Sequence, residues 1–168
     1  MHWRRVFGAI VCCAFLAAAC DTASTSRSAG PASASVAVAD PCSLLAFAQV
    51  GSAISFTVNS QIASDGGRTC TWTYADPNNM VAFNTARLTV LDLATFAAMR
   101  DAVDGGGTTT SVGGLGDAAF YSAGAQGTSL SVEKGSRAFT VSVLGSAYTT
   151  VQSETDERTL AGYVLARL

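Results

Sequence analysis

Charge and histidine are scarce in this 168-residue sequence: charged residues make up 13% of it, and its single histidine is His2. Beyond that position, a nucleophile activated by histidine, whether serine or cysteine, is excluded. A zinc site needs a fourth ligand, usually histidine, at close spacing. Cys20, Cys42 and Cys70 stand 22 and 28 residues apart, which is not a metal motif. Lysine is nearly absent too, with Lys134 the only one. With no basic stripe, nucleic acid is a poor partner, and polybasic attraction to anionic lipid headgroups is equally unsupported. No internal period of 20–50 residues appears, which argues against a repeat array. The longest apolar run, Val6 to Leu16, falls short of the roughly 20 residues of a spanning helix.

That run sits in a recognisable context. Arg4 and Arg5 precede it, and Ala17-Ala18-Ala19 follow it ahead of Cys20. A basic start, an apolar stretch of this length and small residues before a cut site form a secretory signal, so residues 1–19 are expected to be removed. The pair of arginines in WRRVFG also fits a twin-arginine signal, which leaves the export route open. Two of the ten basic residues leave with the signal and none of the twelve acidic ones, so the remainder carries a net charge of −4. Residues 21–39 are dominated by Ala, Ser and Thr. They cannot bury enough apolar surface to offset their ordering entropy. Residues 20–39 read as a flexible tether, about 25 Å long on average for a coil of this length.

Five cysteines are present, of which Cys12 and Cys13 lie in the signal. Three remain, an odd number for an exported chain. The economical assignment pairs Cys42 with Cys70, both in the folded part, and leaves Cys20 for lipid. Such a bridge would stabilise by about 3–4 kcal/mol through chain entropy. The alternative is two buried free thiols. Ala17-x-Ala19 also reads as an ordinary cleavage signal, and either reading cuts before Cys20.

Residues 40–168 are expected to form a single domain. Asp40 and Pro41 open a short helix with Leu44, Leu45, Phe47, Ala48 and Val50 on its apolar side, stopping at Gly51. SFTVNSQIA, RTCTWTYA and VAFNTARLTVL read as three strands, with turns at Asp65-Gly66-Gly67 and at Asp76-Pro77-Asn78-Asn79. In the second, Cys70, Trp72 and Tyr74 share the buried face and Thr71 and Thr73 the other. In the third, Ala86, Leu88 and Val90 point inward. Trp72 is the aromatic to watch, either core or ligand-facing. Asp92 caps a helix with Leu93, Phe96 and Ala97 on one face, stopped by Gly105-Gly106-Gly107. Three or four short strands follow, the last two joined at Lys134-Gly135. The tail from about Ser153 is a helix carrying Leu160, Val164 and Leu168. The order α-βββ-α-β(3–4)-α predicts an α+β fold with an antiparallel sheet of about five to seven strands flanked by helices.

Motifs for chemistry are few. GGLGDAAF, residues 113–120, contains G-x-G-x-x-A, but a dinucleotide site needs a helix directly after the glycines, and AAFYSA reads as a strand. SVEK, residues 131–134, matches S-x-x-K, but in a strand Ser131 and Lys134 point to opposite faces. Paired carboxylates could come from Asp101 and Asp104, or from Glu154, Asp156 and Glu157. The latter trio is expected to begin the last helix and meet its dipole.

DPCSLL (40–45), CTW (70–72) and GLGD (114–117) stand in order. In this the chain resembles a family of small actinobacterial-type cell-envelope lipoproteins of unknown function. Its members carry a lipid-modified cysteine, a Ser/Thr/Ala/Pro-rich tether, and then a domain with these motifs and a terminal amphipathic helix. The resemblance covers about residues 40–168 and implies paired Cys42 and Cys70. Its lipobox usually has leucine where Ala17 stands. Related lipoproteins are similar to the PsbP-like sandwich, an antiparallel sheet flanked by helices. No catalytic, cofactor or metal residue carries over. The expectation is a membrane-anchored, extracytoplasmic, non-enzymatic module that binds a protein or envelope ligand. The alternatives are a carrier of lipid or another hydrophobic small molecule, and a carboxylate-based hydrolase.

Overall fold

A computed structural model describes residues 40–76, 79–102, 109–124, 127–145 and 148–168. The signal, the tether, Cys20, Asp104, the Gly105–Gly107 stop and Pro77-Asn78 lie outside the described residues. The fold is α+β. Helices α1 (Pro41–Leu44) and α2 (Phe47–Ile54) precede strands β1 (Val58–Ser64), β2 (Thr69–Asp76) and β3 (Asn79–Leu91). Then come α3 (Leu93–Asp101), strands β4 (Thr109–Ser111), β5 (Ala118–Gly124), β6 (Gly127–Lys134) and β7 (Arg137–Leu144), and α4 (Thr150–Leu165).

The strands form one seven-stranded sheet in the order β1-β2-β3-β7-β6-β5-β4. Every neighbouring pair is antiparallel. Two meanders thus meet along β3 and β7. The chain leaves the first at the end of β3 and enters the second at its far edge, β4.

Alternation decides which face each residue takes. Cys70, Trp72, Tyr74, Ala86, Leu88, Leu130, Val132, Phe139, Val141 and Val143 all point to the inner face and are at most 2% exposed. Leu160, Ala161 and Val164 of α4 lie against them, as do Val50 and Ile54 of α2, and these side chains form the main core. Trp72 is fully buried there, and its indole N–H donates to Gln61 Oε1 at 3.1 Å. It belongs to the core and does not face a ligand. Each large apolar side chain buried this way contributes about 1.5–3 kcal/mol.

The first helix is not one helix. Asp40 Oδ1 accepts from the Cys42 N–H at 3.0 Å and caps α1, but Leu45 is extended, and the chain restarts at Ala46, whose N–H donates to Gln49 Oε1 at 3.0 Å. Gly51 does not end α2, which runs on to Ile54 and stops at Ser55 in the left-handed region, φ 58°. A Cβ on Gly51 would come within 2.9 Å of the Phe56 carbonyl, so this glycine admits the returning chain. At α3 the expected apolar face is reduced. Phe96 is buried, but Leu93 is 39% exposed. Phe96 packs on the outer face of the sheet against Phe120, ring centroids 5.2 Å apart, and against Ala138.

Candidate functional site

The residues that suggested chemistry in the sequence divide into structural parts. Cys42 and Cys70 form a disulfide, with Cα atoms 5.1 Å apart, that ties α1 to the second strand. GLGD and SVEK, distant in sequence, form one assembly. Gly116, at φ 58°, lies flat against β6, and a Cβ there would run into the Glu133 carbonyl. That approach lets the Asp117 N–H donate to Glu133 O at 2.8 Å. The Asp117 carboxylate then accepts from Lys134 Nζ at 2.8 Å and from the Gly135 N–H at 2.7 Å. Those two bonds hold the carboxyl of Asp117 below its usual range, the Lys134 ammonium first. Ser131 points away from this assembly. It is fully buried, and its hydroxyl pairs with that of Thr140 at 2.8 Å. A strand, β5, follows the glycines, so no helix N-terminus is offered to a pyrophosphate.

The carboxylates are arranged differently from the sequence expectation. Asp101 pairs with Arg100 at 3.0 Å in solvent. Helix α4 begins at Thr150, capped by Thr149 Oγ1 accepting from the Gln152 N–H at 3.2 Å. Glu154, Asp156 and Glu157 therefore lie past its first turn, and the helix dipole does not account for them. Asp156 and Glu157 are instead 2% and 0% exposed. Asp156 Oδ1 accepts from Gln152 Nε2 at 2.8 Å, and burial raises its carboxyl.

Glu157 occupies a particular place in the sheet. The β6–β7 ladder runs as far as Leu130 opposite Val141. Beyond that pair the register ends, and the Val143 N–H donates to Glu157 Oε1 at 3.0 Å. Thr128 Oγ1, from β6, donates to Glu157 Oε2 over a long 3.4 Å. One carboxyl thus bridges the two strands where their own pairing stops. Burial pushes it up to about 8, against the two hydrogen bonds and with added repulsion from Glu154 and Asp156. Beside it, burial and then the Glu157 and Glu154 charges push the Tyr121 phenol up to about 12, while its O–H donates to Glu154 O at 2.7 Å.

The opposite side of the same parting is concave. A concavity of about 280 Å³ opens there, lined by Ser122, Ala123, Gly124, Gly127, Thr128, Ser129, Ser142 and Leu144. It contains hydroxyls, backbone, one alanine and one leucine, with no charged or aromatic side chain. It belongs to an outer face rich in hydroxyls. Strand alternation and register place Thr69, Thr71 and Thr73, then Thr85 and Thr89, then Thr140 and Ser142, then Ser129 and Ser131, on that face. Ser122 and Ser129 bond across β5 and β6 at 2.8 Å, and Thr69 and Thr89 across β2 and β3 at 3.1 Å. Ile62 on edge strand β1 interrupts the pattern, 63% exposed. The one cation among these rows is Arg87, opposite Thr71 on one side and Ser142 on the other.

Sequence reasoning placed Thr71 and Thr73 on the non-apolar face but did not connect them with the serines of FTVSV and TSLSV. The alternation in those strands carries the signal. Among the described residues, no group of three or more His, Cys, Asp or Glu is placed to hold a metal ion, and no helix is long and apolar enough to cross a membrane. No family model, curated protein or solved structure matches the chain.

Proposed function

We propose that the protein is an exported, membrane-anchored binding module, held by lipid on Cys20 and presenting its sheet to an envelope ligand. The observation that carries the binding reading is the contrast between the two faces of the sheet. The inner face is filled by α2 and α4 with fully buried side chains. The outer face has α3 over β6 and β7 near Phe120 and Ala138, and half-buried hydroxyls around the concavity. Rows of hydroxyls that face outward on a rigid sheet are suited to recognition of a polar partner.

Anchoring is supported by the ordered motifs shared with envelope lipoproteins and by the cysteine arithmetic, since Cys42 and Cys70 satisfy each other and leave Cys20. A hydrolase would draw on the raised carboxyl of Glu157. Both oxygens of that group are engaged by Val143 and Thr128, and the residue is fully buried.

Anchoring and binding are tested separately. Intact mass of the mature protein is expected to show diacylglycerol and at least one acyl chain on Cys20, and Cys20→Ser is expected to release the protein from membranes. An N-terminal Cys20 of unmodified mass would refute the anchor. The mature protein, extracted in mild detergent and analysed by native mass spectrometry, is expected to retain an envelope component. Recovery with no bound species counts against the binding reading.

A further inference from the structure

We infer that the concavity at the parting of β6 and β7, together with Arg87, forms a binding site for a sugar or polyol unit that carries one acidic group, carboxylate or phosphate. This rests on the binding-module reading and names its ligand class.

Hydroxyl lining comes first. Ser122 and Ser129 share one proton between them at 2.8 Å, which leaves one donor and several acceptor positions on the pair. Ser142 adds a hydroxyl that both donates and accepts, the same bifunctional chemistry a polyol offers. Leu144 and the methyl group of Ala123 add apolar surface for the C–H side of a ring. A volume of about 280 Å³ lies just under the range of drug-sized pockets, so one sugar unit fits better than an extended ligand. With no aromatic and no carboxylate in the lining, neither a flat apolar ligand nor a cation is selected.

Arg87 supplies the acid requirement. Its side chain is exposed, and it makes no ion pair with any described residue. Its same-face neighbours are all hydroxyl residues, Thr71 and Ser142 across the strands and Thr85 and Thr89 along its own. By comparison Arg68, at the end of the sheet, has Asp92 at 3.3 Å, and Lys134 has Asp117 at 2.8 Å. The cation near the concavity is thus left uncompensated. Guanidinium is a planar fork of donors that matches carboxylate or phosphate in bidentate fashion. Ser142 belongs both to the concavity and to the register pair of Arg87, so adjacent strands, about 4.8 Å apart, place hydroxyls and cation side by side.

The test is titration of the detergent-solubilised mature protein, followed by NMR or calorimetry, with glucuronate, glucose phosphate and glucose as probes. One of the two acidic probes is expected to bind at least about tenfold more tightly than glucose, consistent with a charge-assisted bond. The comparison between them identifies the acid as carboxylate or phosphate. Arg87→Gln is expected to remove that preference, and Arg87→Lys to restore part of it. Ser142→Leu, which fills the concavity, is expected to abolish binding of all three probes while circular dichroism stays unchanged. Equal affinity for glucose and the acidic probes, or no binding of any of them at millimolar concentration, overturns the proposal. So does acidic-probe binding that survives both Arg87→Gln and Ser142→Leu. A retained envelope component that still binds the Arg87→Gln and Ser142→Leu proteins overturns this site and leaves the binding module standing.

Discussion

At the scale of the residue, Glu157 makes the most distinctive commitment. In the fold its carboxyl keeps its proton up to about pH 8, whereas its ordinary value is 4.5. The folded state therefore binds more protons than the unfolded one between those limits, and stability must fall as pH rises. It is greatest below about pH 4.5 as far as this group is concerned. It is lost through the window up to about 8, by at most about 1.4 kcal/mol per pH unit. Urea denaturation is expected to give a lower midpoint at pH 8.5 than at pH 5.5. Glu157→Gln keeps an acceptor for Val143 and has no proton to lose, so its midpoint is expected to change little between the two. Equal pH dependence in both proteins would show that the charge settles elsewhere. Gly116 allows a second measurement. Gly116→Ala adds a Cβ against the Glu133 carbonyl at a positive φ, and a loss of about 2–4 kcal/mol in denaturation is expected. The sequence marks both, Glu157 in a carboxylate trio and Gly116 in the GLGD bend, but not the surroundings that give them these roles. Burial of an acid depends on strands far from it in the chain, and a glycine-rich bend looks the same whether or not another strand lies beneath it.

At the scale of the element, helices and strands are legible, and the ends of the helices are not. The alternation in RAFTVSVL matches β7 residue for residue, Arg137 to Leu144. Helix α4, however, starts at Thr150, earlier than the apolar spacing of Leu160, Val164 and Leu168 announces, because Thr149 caps it with a hydroxyl. The split between α1 and α2 comes from Leu45, which turns its side chain into the core at 1% exposure and leaves helical geometry to do so. The β6–β7 hairpin is held from outside by Asp117, just ahead of the neighbouring strand β5. Removing it with Asp117→Ala frees the Gly135 N–H and Lys134. Since both groups are exposed to solvent and water replaces the lost partner, only a small loss of overall stability is expected. Amide exchange at Gly135 should accelerate while amides in the middle of β7 stay protected. Uniform acceleration along β7 would mean that Asp117 supports the whole strand and not only the turn.

At the scale of the whole molecule, the α+β class and the antiparallel sheet follow from the order of elements, and the strand order does not. Joining β3 to β7 pairs segments that are separated in the chain by α3 and a complete meander. Nothing local in either strand names the other. The outer face is half legible for the same reason. Each strand shows its hydroxyl side, but only the assembled sheet brings Arg87 beside Ser142. The disulfide acts at this scale as well. Replacing Cys42 and Cys70 together by alanine removes a covalent tie from α1 to the sheet. The chain-entropy argument sets the loss at about 3–4 kcal/mol. Denaturant titration of the double variant is expected to show that loss with the spectrum of the folded state intact. A loss below about 1 kcal/mol would mean that packing of Leu44 and Leu45 alone holds α1 in place.

The same bond has a mechanical meaning. A pull on the chain ahead of Asp40 meets covalent resistance at Cys42, the second residue of α1. From there the load passes through sulfur to Cys70 in β2. Helix α2 and strand β1 lie inside the closed loop, so tension applied from the N-terminal side of Cys42 cannot stretch them. The edge strand, which would otherwise be the first to peel from the sheet, is taken out of the line of force.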